Sequence, residues 1–269
     1  MNRPDYSRYD EHLAIELSDR VLRLTLNNPE KLNANTAPMH WALSRIWDDI
    51  DADPEVLCVV FTGAGERAFS AGGDPAQMKQ NLGDDAHWLR IAGESRRIIH
   101  GMLACNKPIV ARLNGHAVGF GATLALASDI TVGVRDAKFG DPHCKTGLVC
   151  GDGGALLWAQ LAGYVVAREF LFTGRLVTME EAVGLGLLNH AVPREELDAK
   201  VDAIVHSITA SAGRAIQLTK NVLNLPLRQA ALATMDLGMA NEMISAWSQD
   251  HREAVDAMLE KRPAKFTGR

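Results

Sequence analysis

The chain has 269 residues, with 28 basic against 33 acidic side chains for a formal net charge of −5; 47% of it is hydrophobic and 23% charged. That length suits one large α/β domain, or a domain of roughly 200 residues with a helical appendage, and the composition is that of a soluble globular protein. The acidic balance opposes sequence-independent binding to nucleic acid, no window approaches the roughly 18 uninterrupted apolar residues of a membrane span, and four cysteines without a CxxC pair make no disulfide framework.

In chain order, the opening "MNRPDYSRYDEHLAIEL" is polar and mixed in charge, unlike a secretory signal or a transit peptide, so a cytoplasmic protein with reduced thiols is expected. "LAIEL" and "VLRLTL" alternate apolar with polar residues around "SDR", which predicts an antiparallel hairpin. Thr36 can cap a helix in which Met39, Trp41, Leu43, Ile46, Trp47 and Ile50 recur at helical spacing. "VLCVVFTG" reads as a buried strand, His87 to Leu103 as a helix, "PIVARL" as a strand, "GATLALAS" as a small-residue helix and "DITVGV" as another strand. Strands alternating with helices imply crossovers and a parallel sheet. From about residue 153 onward strand signals vanish and only helical patterns follow. The last of them is one long stretch with Leu232, Met235, Met239, Met243, Ala246 and Trp247 on a wide apolar stripe, expected to pack on the core or on another subunit.

Two glycine-rich segments follow predicted strands. Gly63-x-Gly65-x-x-Ala68 superficially matches a dinucleotide fingerprint, but Phe69, Ser70, Gly72, Gly73 and Pro75 interrupt the helix such a site needs. In "NGHAVGFGATLALAS", Gly119, Phe120 and Gly121 would form the opening turn of a helix, whose first N–H groups lack internal partners and favour negative charge. Should the Ala71-Gly72-Gly73 turn present a facing N–H, the pair could polarise a carbonyl and stabilise an enolate. Taken singly, either segment can equally be a tight turn that glycine permits.

The ordered motifs "NNPEKLNAN", "FTGAGERAFSAGGDPAQM", "NGHAVGFGATLALASDI", "KFGDP", "GDGGALLWAQLAG", "REFLFTGRLVTMEEAVGLGLLNHAVP" and "EKRPAKFTGR" resemble the crotonase, or enoyl-CoA hydratase/isomerase, family over nearly the whole chain. The resemblance implies an α/β fold, a ββα superhelix over residues 1–204, with a helical C-terminal region over 205–269 that mediates trimers, often paired into hexamers. It implies an acyl-CoA thioester as substrate, with coenzyme A arriving as part of the substrate and no separate cofactor or metal. It also implies an oxyanion hole from the N–H groups of Gly73 and Phe120. Coenzyme A contacts would fall at Lys31, Leu32, Ala71 and Gly73, with Lys261 and Phe266 near the adenine end, supplied by this chain or a neighbouring subunit.

Hydratases of this family resemble one another in two glutamates, where this chain places Thr123 and His143. An imidazole titrates near neutrality and moves a proton without a large shift, so His143 is the natural substitute, with Asp152 as its second member. A family branch that hydrolyses carbon–carbon bonds in cyclic β-diketones is similar in pairing a histidine and an aspartate at this separation. That branch adds a histidine where this chain has Phe120 and a glutamate on the long C-terminal helix, which Glu242 matches by position. Asp152 is equally suited to cap the helix that follows it, and His116 to a turn role. Cys144 and Cys150 flank the region in no zinc-binding spacing. Enoyl-CoA hydration or isomerisation, hydrolysis of a β-diketone and a catalytically idle CoA-binding scaffold are the readings that remain.

Overall fold

The computed structural model describes residues 4–269; Met1 to Arg3 of the polar N-terminal segment lie outside the described residues. β1 (Leu13–Ser18) and β2 (Val21–Leu26) form the expected hairpin, paired antiparallel from Leu13 with Leu26 to Ser18 with Val21. Asp19 and Arg20 turn the chain with φ of 49° and 66°, the left-handed pair whose twist matches that of the strands. α1 (Ala37–Ala52) starts where Thr36 accepts the Met39 N–H at 3.3 Å. Three turns of the chain then repeat one plan. β3 (Cys58–Gly63) enters a large sheet, β4 (Ala68–Ser70) a small one, and α2 (Pro75–Gln80) and α3 (Asp85–Ala104) follow. β5 (Ile109–Leu113) and β6 (His116–Val118) lead likewise into α4 (Phe120–Leu126), and β7 (Ile130–Val134) and β8 (Lys138–Gly140) into α5 (Gly154–Thr173).

Beyond residue 153 the expectation of helices alone fails. β9 (Val177–Thr178) closes the small sheet beside β8, and β10 (His190–Val192) adds a parallel edge to β7, with α6 (Met179–Gly184) between them. Two or three residues are too few to display an alternating pattern, so pairing partners rather than local sequence define these strands. The large sheet runs β1-β2-β3-β5-β7-β10 and the small sheet β4-β6-β8-β9. α5 also has the length and composition to cross a membrane, with a window of mean hydropathy 1.2 that the reading of uninterrupted runs passed over. Gly163, at φ 81° and ψ 161°, breaks it midway, and Leu157, Trp158 and Phe170 bury one side of it in the core.

α7 (Leu197–Thr209), α8 (Gly213–Leu223), α9 (Leu225–Ala246) and α10 (Gln249–Glu260) complete the chain. The single long helix expected at the end is two, because Ser248 leaves helical geometry and caps α10 by accepting the His251 N–H at 3.0 Å. The expected apolar stripe is narrower too: Met235, Met239 and Ala246 are buried, whereas Leu232 and Trp247 face outward. Ala231 and Met235 join the same hydrophobic core as the sheet strands, so α9 is built into the body of the fold. In that core Trp47, Phe61 and Phe69 pack edge to face at 5.6 and 5.2 Å between ring centres.

Candidate active site

The two glycine turns meet. Asn33, fully buried, donates from Nδ2 to the carbonyls of Ala64 and Ala68, both at 2.9 Å, and its own carbonyl accepts the Ser70 hydroxyl at 2.9 Å. Ser70 Oγ in turn accepts the Gly72 N–H at 3.2 Å, while the Ala71 N–H donates to the Leu32 carbonyl at 3.0 Å. These bonds hold the 71–73 turn against the 118–120 turn. Gly72 sits at φ +79°, and a β-carbon there would stand 2.8 Å from the Val118 carbonyl oxygen, so only glycine allows the approach. Among the described residues, neither the Gly73 N–H nor the Phe120 N–H at the start of α4 donates to a protein acceptor.

Both turns line a cavity of about 390 Å³, together with His40, Met78, Trp88, Ser95, His143, Asp152 and Glu242. His143 opens a 3₁₀ turn after β8. Its Nδ1 makes a short hydrogen bond to Asp141, which also accepts the His143 N–H at 3.2 Å. Its Nε2 faces Asp152 Oδ2 at 3.6 Å. Asp152 Oδ1 accepts from the Thr123 hydroxyl at 3.3 Å and from the Gly154 N–H at 3.2 Å. The helix it precedes has Gly153 as its cap residue, so Asp152 serves α5 through one bond while its other oxygen faces the imidazole.

Glu242 comes from this chain's own α9, and a close backbone crossing brings it in. A β-carbon on Gly151 would lie 2.2 Å from the Gly238 carbonyl oxygen and 3.0 Å from Glu242 Oε2. Three buried carboxylates thus gather around one imidazole. Burial works against the charged form of His143, but the negative charges of Asp141 and Asp152 outweigh it and hold the imidazole well above its ordinary range. Burial raises Asp152, opposed by the His143 charge. Burial first, and then the Asp152 charge, push Glu242 up to about 8. The cluster thus favours a proton on the imidazole and a proton on Glu242. Asp141, His143 and Asp152 bring a possible ligand atom each within 4.8 Å of one another, but both nitrogens of His143 already face carboxylates and the arrangement reads as a proton-sharing chain.

Of the other residues named from the sequence, Ala71 lines the cavity, and Lys31 pairs with Asp74 at 2.6 Å on its rim. Leu32 braces Ala71 through its carbonyl rather than lining the cavity. Lys261 and Phe266 are exposed beyond α10 and do not line this chain's cavity. His116 is exposed and accepts the Lys138 N–H at 2.9 Å, a brace between strands. Burial pushes the Cys144 and Cys150 thiols up, which leaves neither activated as a thiolate. Sequence reasoning missed Asp141, which lies inside the "KFGDP" motif, and His40, which sits at an ordinary helical position of α1.

The chain matches the enoyl-CoA hydratase/isomerase family model over residues 16–269. It is similar to the short-chain-enoyl-CoA hydratase of Clostridium acetobutylicum, at 30% identity over 93% of this chain and 95% of that protein. It is also similar to the 1,2-epoxyphenylacetyl-CoA isomerase of Escherichia coli, at 30% identity over 96% and 99% of the two chains. The crystal structure of an enoyl-CoA hydratase/isomerase from Mycobacterium paratuberculosis superposes with a TM-score of 0.87 at 36% identity, covering 91% of this chain and 97% of that one. With the two-sheet superhelix and the paired glycine turns, these matches place the chain in the enoyl-CoA hydratase/isomerase, or crotonase, family.

Proposed function

We propose that this crotonase-family enzyme binds an acyl-CoA thioester, gathers enolate charge between the Gly73 and Phe120 amides, and moves protons with His143 and Asp152 to hydrate or isomerise an enoyl-CoA. One observation carries the reading: two uncommitted backbone N–H groups line the same cavity as an imidazole set among buried carboxylates. Donors held in place by the fold need no reorganisation as charge develops, and one such donor contributes roughly 3 to 4 kcal/mol of transition-state stabilisation. Asp152, held by Thr123 and Gly154, takes up a proton, and the imidazolium of His143 delivers one in return.

Coenzyme A would run past Lys31, Leu32 and Ala71, with Lys261 and Phe266 meeting the adenine of a bound or neighbouring subunit's ligand. Trimers or paired trimers fit the apolar residues left outside, Val165, Phe172, Val222 and Leu232 among them. The test is turnover of short and aromatic enoyl-CoAs. His143→Ala is expected to lower kcat at least about tenfold with coenzyme A affinity kept. Equal rates in wild type and variant would remove His143 from the chemistry.

The convergence of His143, Asp152 and Glu242 favours a second reading, hydrolysis of a carbon–carbon bond in a β-dicarbonyl compound. Activity on cyclic β-diketones alone would establish that reading over the first. Coenzyme A binding without turnover of either class would point to a scaffold.

A further inference from the structure

The cavity holds a second imidazole that the mechanism above does not use. His40 on α1, Glu94 and Ser95 on α3 are 3%, 2% and 1% exposed, and His40 and Ser95 line the cavity. His40 Nδ1 donates to Glu94 Oε2 at 2.9 Å. Arg90 Nη1, at 3.1 Å from the same oxygen, keeps Glu94 anionic. That bond places the ring proton on Nδ1, so the Nε2 lone pair accepts the Ser95 hydroxyl at 3.2 Å. The ring lies against Phe120, the residue whose N–H belongs to the proposed oxyanion hole, with 5.3 Å between centres.

A histidine–glutamate pair is a costly way to fill an apolar wall, since a leucine would pack there without desolvating a charge. A carboxylate that orients an imidazole from behind is instead the arrangement of a general base.

We propose that His40 is a further proton-transfer residue of this cavity, its Nε2 drawing a proton from the acyl chain through the Ser95 hydroxyl. The proposal rests on the acyl-CoA reading and narrows it to a 1,3-proton shift in a β,γ-unsaturated acyl-CoA. The C–H bond next to the thioester carbonyl breaks, its proton goes to the Ser95 oxygen, and the hydroxyl proton passes to Nε2. Its electron pair enters the dienolate whose oxygen the Gly73 and Phe120 amides hold. The His143 imidazolium then delivers a proton to the far end of the former double bond, and the two imidazoles exchange protons with solvent to reset. No atom is gained or lost, and no oxidant or metal is required.

The surroundings of the two rings suit opposite roles. Burial lowers His40, with Arg90 and Arg97 adding to the fall and Glu94 opposing it, so the ring is neutral at neutral pH. Facing His143 are Asp141, Asp152 and Glu242, which keep it protonated against the effect of burial. Paired groups whose environments drive their titrations apart mark the base and the acid of a reaction.

The test follows a 3-enoyl-CoA by proton NMR in D2O, with wild type, His40→Asn, which keeps a donor to Glu94, and His40→Gln as a second variant. Wild type should isomerise the substrate with deuterium incorporated into the acyl chain. The variants should lower kcat about 100-fold or more, lose the acid-side limb of the pH profile, and keep KM, coenzyme A affinity and Tm. Wild-type exchange and pH profile in both variants would overturn the proposal. So would a fall in rate matched by losses of Tm and ligand affinity, the mark of a packing role. A wild-type protein inert toward every thioester would overturn the acyl-CoA reading itself, and the role of His40 with it.

Discussion

His143 is made an acid by its neighbours rather than by its own chemistry. Asp141 both orients Nδ1 and supplies the first of the charges that keep the ring protonated, so Asp141→Asn removes a charge while keeping a side chain of similar shape. The alkaline limb of the kcat profile, set by loss of the His143 proton, should move to lower pH in that variant, and an unmoved limb would separate Asp141 from the chemistry. Glu242 bears on stability as well. Its folded pKa of about 8 lies above the unfolded value of 4.5, so the protonated form favours the native state, an advantage fully present below the unfolded value and lost as pH rises through the folded one. Thermal scans from acid to alkaline pH should show Tm falling for wild type and falling less for Glu242→Gln. His143, Asp152 and Glu242 were legible through their places in recognisable motifs. Asp141 and His40 were not, because an aspartate beside a proline and a histidine on an amphipathic helix declare nothing until another element supplies the facing group.

At the level of elements, the site depends on backbones that approach too closely for a side chain. The crossing of Gly151 and Gly238 sets how deeply α9 carries Glu242 into the cavity. Gly151→Ala should push that helix outward, lowering stability by about 1 to 3 kcal/mol in urea unfolding and reducing kcat with it. Unchanged stability would mean that the crossing relaxes freely. The long elements could be read ahead of the fold: the hairpin, the Thr36-capped α1 and the buried strand β3 follow from local pattern and local capping. β9 and β10 could not, since each exists only through its ladder to β8 or β7. The division of the last helical stretch was within reach, for Ser248 followed by acidic residues is a helix-start signal that a continuous apolar stripe concealed.

Over the whole molecule, the outer face of the helical layer keeps apolar side chains that the monomer does not bury. Val222, 72% exposed on α8, is one of them; if the proposed trimer forms through this face, light scattering will give a three-subunit mass for wild type and a single-chain mass for Val222→Asp. A three-subunit mass for both would move the assembly surface elsewhere, and a single-chain mass for both would remove the proposed trimer. The alternation of strands with helices was enough by itself to determine the α/β class and to locate the two glycine turns, because turn chemistry and helical or strand periodicity are written in neighbouring residues, while the order of motifs pointed to the crotonase family by resemblance. Which side chains share one cavity, and which of them hold a proton there, only the tertiary structure decided. Those properties arise from burial and from charges on α1, α3, α9 and the loop after β8, brought within a few ångströms by folding and far apart along the sequence.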